Sequence, residues 1–415
     1  MTLLDNPHFL IIKDKEHFIF YNTIRHYACR ISDLDLVLFD LFYKYKDLEV
    51  VLSQLDTKYH QYVKGVYAAV IENKVLSDIP VMTCDTIGQV YPLSYYLHLT
   101  YKCNLNCTYC YNKSIRSEFV EMSETKWSII LDEILLYAKS IIITGGEPSL
   151  TPLLPYIITQ IRNKKKDIHV EMISNCMTDF STYEYADEVF SNIDRAIFSC
   201  DNLSDVGQTR INFNPSLFRK NIDFLKKNYK ELSITITSVF SKCNLSEINN
   251  IKEYCSSQSV NFRNVLIVPN GVSELSLLPT LEEYCSILSS HTQPLDSLRL
   301  YCGAGIGVLS VDPLGNVYPC QSLHYKKYRM GNLLADSIED IIHTQIHKDI
   351  AKNFSIDNIP TCKDCKVKYI CGGGCRAATL NLEGKPAEFP KTLCPYYKEK
   401  AINMLKSIPK PLVGT

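Results

Sequence analysis

The sequence predicts an α/β chain in three parts: a winged-helix-like N-terminal module, a TIM-like partial (β/α)6 barrel, and a cysteine-rich C-terminal domain. Three observations carry this reading. Short β-branched or aromatic runs alternate with helical stretches about every 30 residues from Tyr95 to roughly Leu288. A strands-then-helices pattern precedes them, and seven cysteines crowd the stretch from Cys302 to Cys394, where the alternation stops.

At 415 residues the chain exceeds one ordinary core, and the expected boundaries are 1–90, 91–290 and 291–415. A composition 46% hydrophobic and 21% charged, with net charge −1, offers no basic field for nucleic acid. Asp5, Lys13 and Asp14 interrupt the N-terminal apolar residues, so no signal peptide is read, and no later apolar run reaches spanning length. The expected setting is therefore the cytoplasm, with neither membrane nor nucleic acid as partner. There most of the 17 cysteines would stay reduced. Cys29, Cys200 and Cys255 sit singly in apolar segments and read as small buried hydrophobes.

In the N-terminal module, "HFLIIKD", "HFIFYN" and "YACRIS" read as strands. Leu34, Leu38, Leu41 and Phe42 then share one helical face, and "LEVVLSQL" and "YVKGVYAAVIENKVL" repeat the theme. The six barrel strands are "YYLHLT", "SIIIT", "IHVEMIS", "RAIFSC", "LSITITS" and "FRNVLIVP". One intervening helix starts at the N-cap Ser123 and carries the stripe Trp127, Ile130, Leu131, Ile134, Leu135 and Ala138. The residues that follow the strands are a cysteine loop after the first, Gly145-Gly146-Glu147-Pro148 after the second, Ser174-Asn175 after the third, Cys200-Asp201 after the fourth, Thr237-Ser238 after the fifth and Pro269-Asn270-Gly271 after the sixth. In a parallel barrel these share one rim. A doubly wound sheet would place the same loops along one carboxyl edge, so both remain open here.

Cys103, Cys107 and Cys110 form C-x3-C-x2-C in "YKCNLNCTYCYNK". Structural zinc takes four tight ligands, and no fourth Cys or His stands beside these three. A cubane iron–sulfur cluster held by three thiolates keeps one iron open to a further ligand.

With Tyr109 just before the last cysteine and GGEP one unit later, this region resembles the radical S-adenosylmethionine enzymes over about 190 residues. The resemblance implies a [4Fe–4S] cluster on Cys103, Cys107 and Cys110. Its open iron would chelate S-adenosylmethionine, and one electron would release a 5′-deoxyadenosyl radical that takes a substrate hydrogen. It further implies Gly145, Gly146 and Glu147 at the methionine amino group, Ser174 and Asn175 at the ribose, and Tyr109, Asp201 and Arg210 among the cofactor contacts. Arg210 reads equally well as a solvated surface residue.

The C-terminal cysteines resemble the SPASM domain. Cys302, then the run GNVYPC ending at Cys320, then C-x2-C-x5-C-x3-C from Cys362 to Cys375, then Cys394 reproduce its pattern. The resemblance assigns Cys362, Cys365, Cys371 and Cys394 to one auxiliary [4Fe–4S] cluster and Cys302, Cys320 and Cys375 to another, three clusters in all. A zinc ribbon is the alternative, because C-x2-C pairs also serve zinc. Some relatives have an eighth cysteine shortly after the first, and "CGAGIGVLS" has none after Cys302. The second auxiliary cluster would then have three protein ligands, its fourth position open to water, another residue or a substrate thiolate.

The N-terminal module resembles the peptide-recognition domain of ribosomal-peptide maturases, which binds a leader peptide as an added strand. A winged-helix DNA reader is disfavoured by the mixed charge of "LDLVLFDLFYKYKD". Together these resemblances imply a peptide maturase of the sactipeptide or ranthipeptide thioether type, supplied with electrons by a flavodoxin- or ferredoxin-like reductant. Carbon–carbon or carbon–oxygen cross-linking and epimerisation are the alternatives. An anaerobic sulfatase-maturase-like enzyme would not need the leading 90 residues, and a non-catalytic metal-binding or electron-carrier protein would leave GGEP without a purpose. No general base stands out among 10 histidines and 27 tyrosines.

Overall fold

The computed structural model describes residues 3–77, 91–113, 121–204, 209–288, 299, 301–385, 388 and 391–407. The expected boundaries at 90 and 290 fall outside these residues. Strands β1 (Phe9–Asp14), β2 (His17–Asn22) and β3 (Tyr27–Ile31) form an antiparallel sheet in the order β1-β2-β3. Helices α1 (Asp33–Tyr45), α2 (Leu48–Leu52) and α3 (His60–Glu72) follow. A capping box starts α1: the Ser32 hydroxyl accepts from Asp35 N at 3.1 Å, and the Asp35 carboxylate accepts from Ser32 N at 2.9 Å. Alternation along β2 sends Phe18 and Phe20 to the helices and Ile19 and Tyr21 to the opposite face.

The middle of the chain lays down β4 (Ser94–His98), the short β5 (Asn106–Cys107), β6 (Ser140–Thr144), β7 (His169–Ser174), β8 (Arg195–Ser199), the short β9 (Arg210–Ile211), β10 (Ser233–Phe240) and β11 (Asn261–Leu266). Between them run α4 (Glu124–Ile134), α5 (Leu153–Lys164), α6 (Ala186–Phe190), α7 (Pro215–Asn228) and α8 (Glu247–Ser257), with α9 (Leu281–Ile287) after the last strand. All six expected barrel runs are strands. The stripe on α4 is buried as expected, with Trp127, Ile130, Leu131 and Ile134 each at 0% exposure. Cys29, Cys200 and Cys255 are buried too.

Sheet order resolves the question left open by the sequence. The strands run β11-β10-β8-β7-β6-β4, all parallel, each unit adding on the same side of its predecessor. A doubly wound sheet would reverse direction; this is an open, singly wound barrel.

On the other side of β4 the sheet continues into the C-terminal region through β12 (Val308–Val311), parallel to β4, then antiparallel β13 (Asn316–Tyr318) and β14 (Gly331–Asn332). Leu309, Val311, Val317, Ile338 and Ile341 are fully buried in the barrel's own core. Strands this short carry no readable period. Helices α10 (Ile338–His343), α11 (Gln345–Phe354), α12 (Lys368–Cys371), α13 (Arg376–Glu383) and α14 (Cys394–Lys406) complete the chain. α14 and α12 cover the outer face of the N-terminal sheet: Ile19 and Tyr21 pack with Val367, Ile370, Ala401, Met404 and Leu405. Among the described residues no helix is long and apolar enough to cross a membrane.

Where β4 meets β12, His98 and His324 lie with ring centroids 4.4 Å apart. Ser310 Oγ lies 2.8 Å from His324 Nε2 and Tyr101 Oη 3.1 Å from Nδ1. Burial lowers the His324 imidazole to about 3, and burial followed by the His324 charge holds His98 well below its ordinary value. Both rings are neutral in the fold. As pH falls through about 6.5, the unfolded chain takes up protons that the folded chain refuses. Stability should therefore decline by about 1.4 kcal/mol per pH unit for each ring, from about 6.5 downwards. Urea unfolding of the cluster-free protein at pH 7.5 and 5.5 checks this, and His324→Gln should flatten the difference.

Candidate active site

The C-terminal strand ends surround a cavity of ≈ 290 Å³. Cys103, Cys107 and Cys110 line it from the loop after β4, Gly145 and Gly146 after β6, and Ser174 and Asn175 at the end of β7. The first two loops are stitched backbone to backbone, with Gly146 N donating to Thr100 O at 2.8 Å and Glu147 N to Lys102 O at 2.7 Å. That closeness demands glycine: a Cβ at Gly145 would stand 2.4 Å from Thr100 O, and one at Gly146 would stand 2.1 Å from Lys102 O.

Glu147 does not reach the cavity. Fully buried, it accepts from Ser174 Oγ at 2.8 Å, Ser149 Oγ at 2.7 Å, Ser149 N at 3.1 Å and Asn175 N at 2.7 Å. Burial pushes its carboxyl up, opposed by these hydrogen bonds. The Ser174 hydroxyl is thereby committed to Glu147. Asn175 turns toward the cysteines, its Nδ2 lying 2.7 Å from Asn104 Oδ1 and 3.7 Å from the Cys103 sulfur. Glu121, which no motif marks, ties the two loops together by accepting from Thr100 Oγ1 at 2.7 Å and Thr151 Oγ1 at 3.1 Å, with Lys102 Nζ at 3.2 Å.

The short pairing β5–β9 brings Arg210 opposite Cys107. Its Nη1 donates to the Cys107 sulfur at 3.8 Å, and its Nε lies 3.1 Å from Asp201 Oδ2. Arg210 is thus no solvated surface residue. Burial works against its charge, and Asp201 together with Tyr109 and Cys107 outweighs burial, so the guanidinium is held protonated. Asp201 is fully buried behind the cavity wall and also accepts from Tyr109 Oη, from Thr209 Oγ1 at 2.9 Å and from Val239 N at 2.9 Å. Burial pushes the Tyr109 hydroxyl well up, so Tyr109 remains the donor.

A second cavity of ≈ 590 Å³ is lined by Cys302, Cys320, Cys371 and Cys375 and shares Gln321, Ser322 and Ala377 with the first. Burial pushes the Cys320 thiol up, with Cys375 and Cys302 as its charged neighbours. Burial raises Cys371 to about 11, with Cys362 and Cys365 as neighbours, and Cys394 is likewise raised by burial and Cys365. Cys302, Cys320 and Cys375 thus neighbour one another, as do Cys362, Cys365, Cys371 and Cys394, with Cys371 also facing the second cavity.

Residues 97–255 match the Radical SAM superfamily and residues 302–366 match SPASM, an iron–sulfur cluster-binding domain. Mycofactocin maturase MftC of Mycobacterium tuberculosis strain CDC 1551 is 23% identical over 360 residues, 77% of this chain and 87% of that protein. Native anSMEcpe with bound AdoMet and Cp18Cys peptide matches with TM-score 0.62 at 21% identity, over 77% of this chain and all of that one. Streptococcus suis SuiB bound to precursor peptide SuiA matches with TM-score 0.58 at 15% identity, over 94% of this chain and 99% of that one.

The residues fit the cofactors these domains use. Three thiols face one cavity that also receives two buried polar atoms, Thr237 Oγ1 and Asn112 Oδ1, without hydrogen-bond partners among the described residues. Thr237, on β10, stands at the rim position read from the sequence, without a cofactor role assigned there; its hydroxyl suits a polar ligand. Among the described residues no three His, Cys, Asp or Glu side chains converge as a single ion would require, whereas a cubane puts each thiolate on a different iron. Residues 97–255 are therefore a radical S-adenosylmethionine domain, and residues 302–366 a SPASM iron–sulfur domain joined edge to edge onto the barrel sheet.

Proposed function

We propose that this enzyme matures a ribosomally synthesised precursor peptide by installing a cysteine thioether, after the leader docks on residues 1–90. The observation that carries the reading is the joining of the two cavities through Gln321, Ser322 and Ala377, with three thiols, Cys302, Cys320 and Cys375, forming one set at the second. S-adenosylmethionine bound on the reduced cluster supplies the radical that removes the substrate hydrogen. Cys103, Cys107 and Cys110 hold that cluster, and Asn175 and Arg210 steady two of its thiolates. Cys302, Cys320 and Cys375 would hold an auxiliary cluster with three protein thiolates. As the carbon gives up a hydrogen atom and the thiol a proton, such a cluster would supply the acceptor for the remaining electron, with a flavodoxin- or ferredoxin-like carrier as its outlet. Leader docking finds support in the two edge strands of the three-stranded sheet, β1 and β3, each paired on one side only among the described residues, where a peptide strand can add, and in the reach of the SuiB match over nearly the whole chain.

The test is mass spectrometry of the precursor peptide encoded beside this gene, co-expressed anaerobically with the enzyme and then alkylated. Loss of a hydrogen pair together with an alkylatable thiol is the expected result. The same mass loss with every thiol retained moves the assignment to a carbon–carbon or carbon–oxygen bond, and an unchanged mass in an altered peptide moves it to epimerisation. Removing the leader from the peptide should slow modification by about a hundredfold through lost effective concentration, while peptide-independent cleavage of S-adenosylmethionine persists.

A further inference from the structure

The loop CGGGC holds a charge that the proposed reaction leaves unused. Arg376, the first residue of α13, is 1% exposed. Its Nη1 donates to Gly373 O at 2.7 Å, its Nη2 to Gly372 O and Phe354 O at 3.2 Å each, and its Nε to Phe354 O at 3.3 Å. The loop is shaped around it. Gly372, Gly373 and Gly374 have φ of 67°, 69° and 70°, and a Cβ at Gly373 would stand 2.6 Å from Arg376 Nη2.

These carbonyls satisfy the hydrogen bonds and leave the charge uncompensated: among the described residues no carboxylate forms an ion pair with Arg376. A buried guanidinium without a counter-ion is costly, and neutral donors could have held the same carbonyls. The charge needs an anion. Arg376 follows Cys375 directly in the chain and lines one cavity with Cys302, Cys320 and Cys375 of one set and Cys371 of the other. Arg299 and Lys400 line the same cavity, but neither is fully buried by surface area, and burial followed by the Arg299 charge lowers the Lys400 ammonium, so Arg376 is the buried, fixed cation among them. A charge in the interior acts at an effective dielectric of about 20 rather than about 80, making it roughly four times stronger at equal distance.

We infer that Arg376 is the fixed counter-charge shared by the two auxiliary clusters, a positioning residue that shapes the CGGGC loop and holds both cluster potentials high. Iron–sulfur potentials respond to net charge and burial, and a cation fixed nearby favours the state carrying one more electron. The inference rests on the assignment of the seven cysteines to two clusters, which iron and sulfide content tests separately.

The experiment is a spectroscopic redox titration of the full-length, reconstituted protein with Cys103, Cys107 and Cys110 replaced by alanine, so that only auxiliary clusters respond. Arg376→Gln, which keeps hydrogen-bond donors and loses the charge, should lower both potentials enough to change the reduced-to-oxidised ratio at fixed potential about tenfold, ~59 mV for one electron. Arg376→Lys should stay near the parent. Unchanged potentials in Arg376→Gln at full iron content overturn the inference, as do equal shifts in both variants or loss of iron in both. Should Arg376→Gln alone lose iron while Arg376→Lys holds its clusters at the parent potential, the charge is again what matters. Iron too low for two cubanes in the parent would instead count against the cluster assignment itself.

Discussion

Gly146→Ala is expected to abolish the enzyme's ability to cleave S-adenosylmethionine, reducing 5′-deoxyadenosine formation by about a hundredfold or more. The new methyl would stand 2.1 Å from Lys102 O and 2.5 Å from Tyr101 O, both backbone atoms that no rotamer change can clear. Relief must come from moving the loop that carries Cys103, and displacement of a catalytic group by about 1 Å commonly costs that much. Gly65→Ala is the control: it lies in α3, where an added methyl would meet nothing within 4 Å, and should leave cleavage untouched. Retention of normal cleavage and full cluster iron in Gly146→Ala would remove the basis for this account of the GGEP glycines.

Asp201→Asn should be among the most destabilising single changes, at about 3–5 kcal/mol, because it strands the Arg210 guanidinium in a buried site. The amide also loses its match to three donors at once, Tyr109 Oη, Thr209 Oγ1 and Val239 N, besides the ion pair with Arg210 Nε. Denaturant unfolding of the cluster-free protein measures the loss. Adding Arg210→Met should return part of it, since the orphaned charge goes too, and the non-additivity of the pair reports their coupling. A single-mutant effect below about 1 kcal/mol would mean that water reaches Arg210 and replaces the carboxylate.

The parts of the fold that were legible in sequence are those with a period to read. Six barrel strands announced themselves as β-branched runs, and the α4 stripe from Trp127 to Ala138 emerged buried as spaced. The short strands did not. β12 to β14 span two to four residues each, so their pairing onto β4 depends on tertiary register rather than pattern. At the site, cysteine spacing marked Cys103, Cys107 and Cys110, which line one cavity, because their positions are written within one loop. What the sequence could not convey is which polar groups are spent on one another. Glu147 reads as a ligand contact until its oxygens are seen bonded to Ser149, Ser174 and Asn175. Glu121 carries no signal at all, since Thr100, Lys102 and Thr151 reach it from distant segments.

The seating of the N-terminal sheet on α14 bears on how the chain is made. Arg30 Nη2 reaches Lys406 O at 3.1 Å across 376 residues of sequence, and Lys366 Nζ reaches Phe9 O at 2.7 Å across 357. Contacts this distant close late, because loop entropy must be overcome before they are rewarded. During synthesis the first sheet emerges with the side of Ile19 and Tyr21 bare, and it stays bare until the helix that covers it leaves the ribosome. Nascent chains would thus display an apolar strand face for most of translation, a hazard for self-association that chaperones exist to manage. Truncation before Cys394 should make that exposure permanent and send the product into inclusion bodies, even though every residue of the barrel and of the first module is still present.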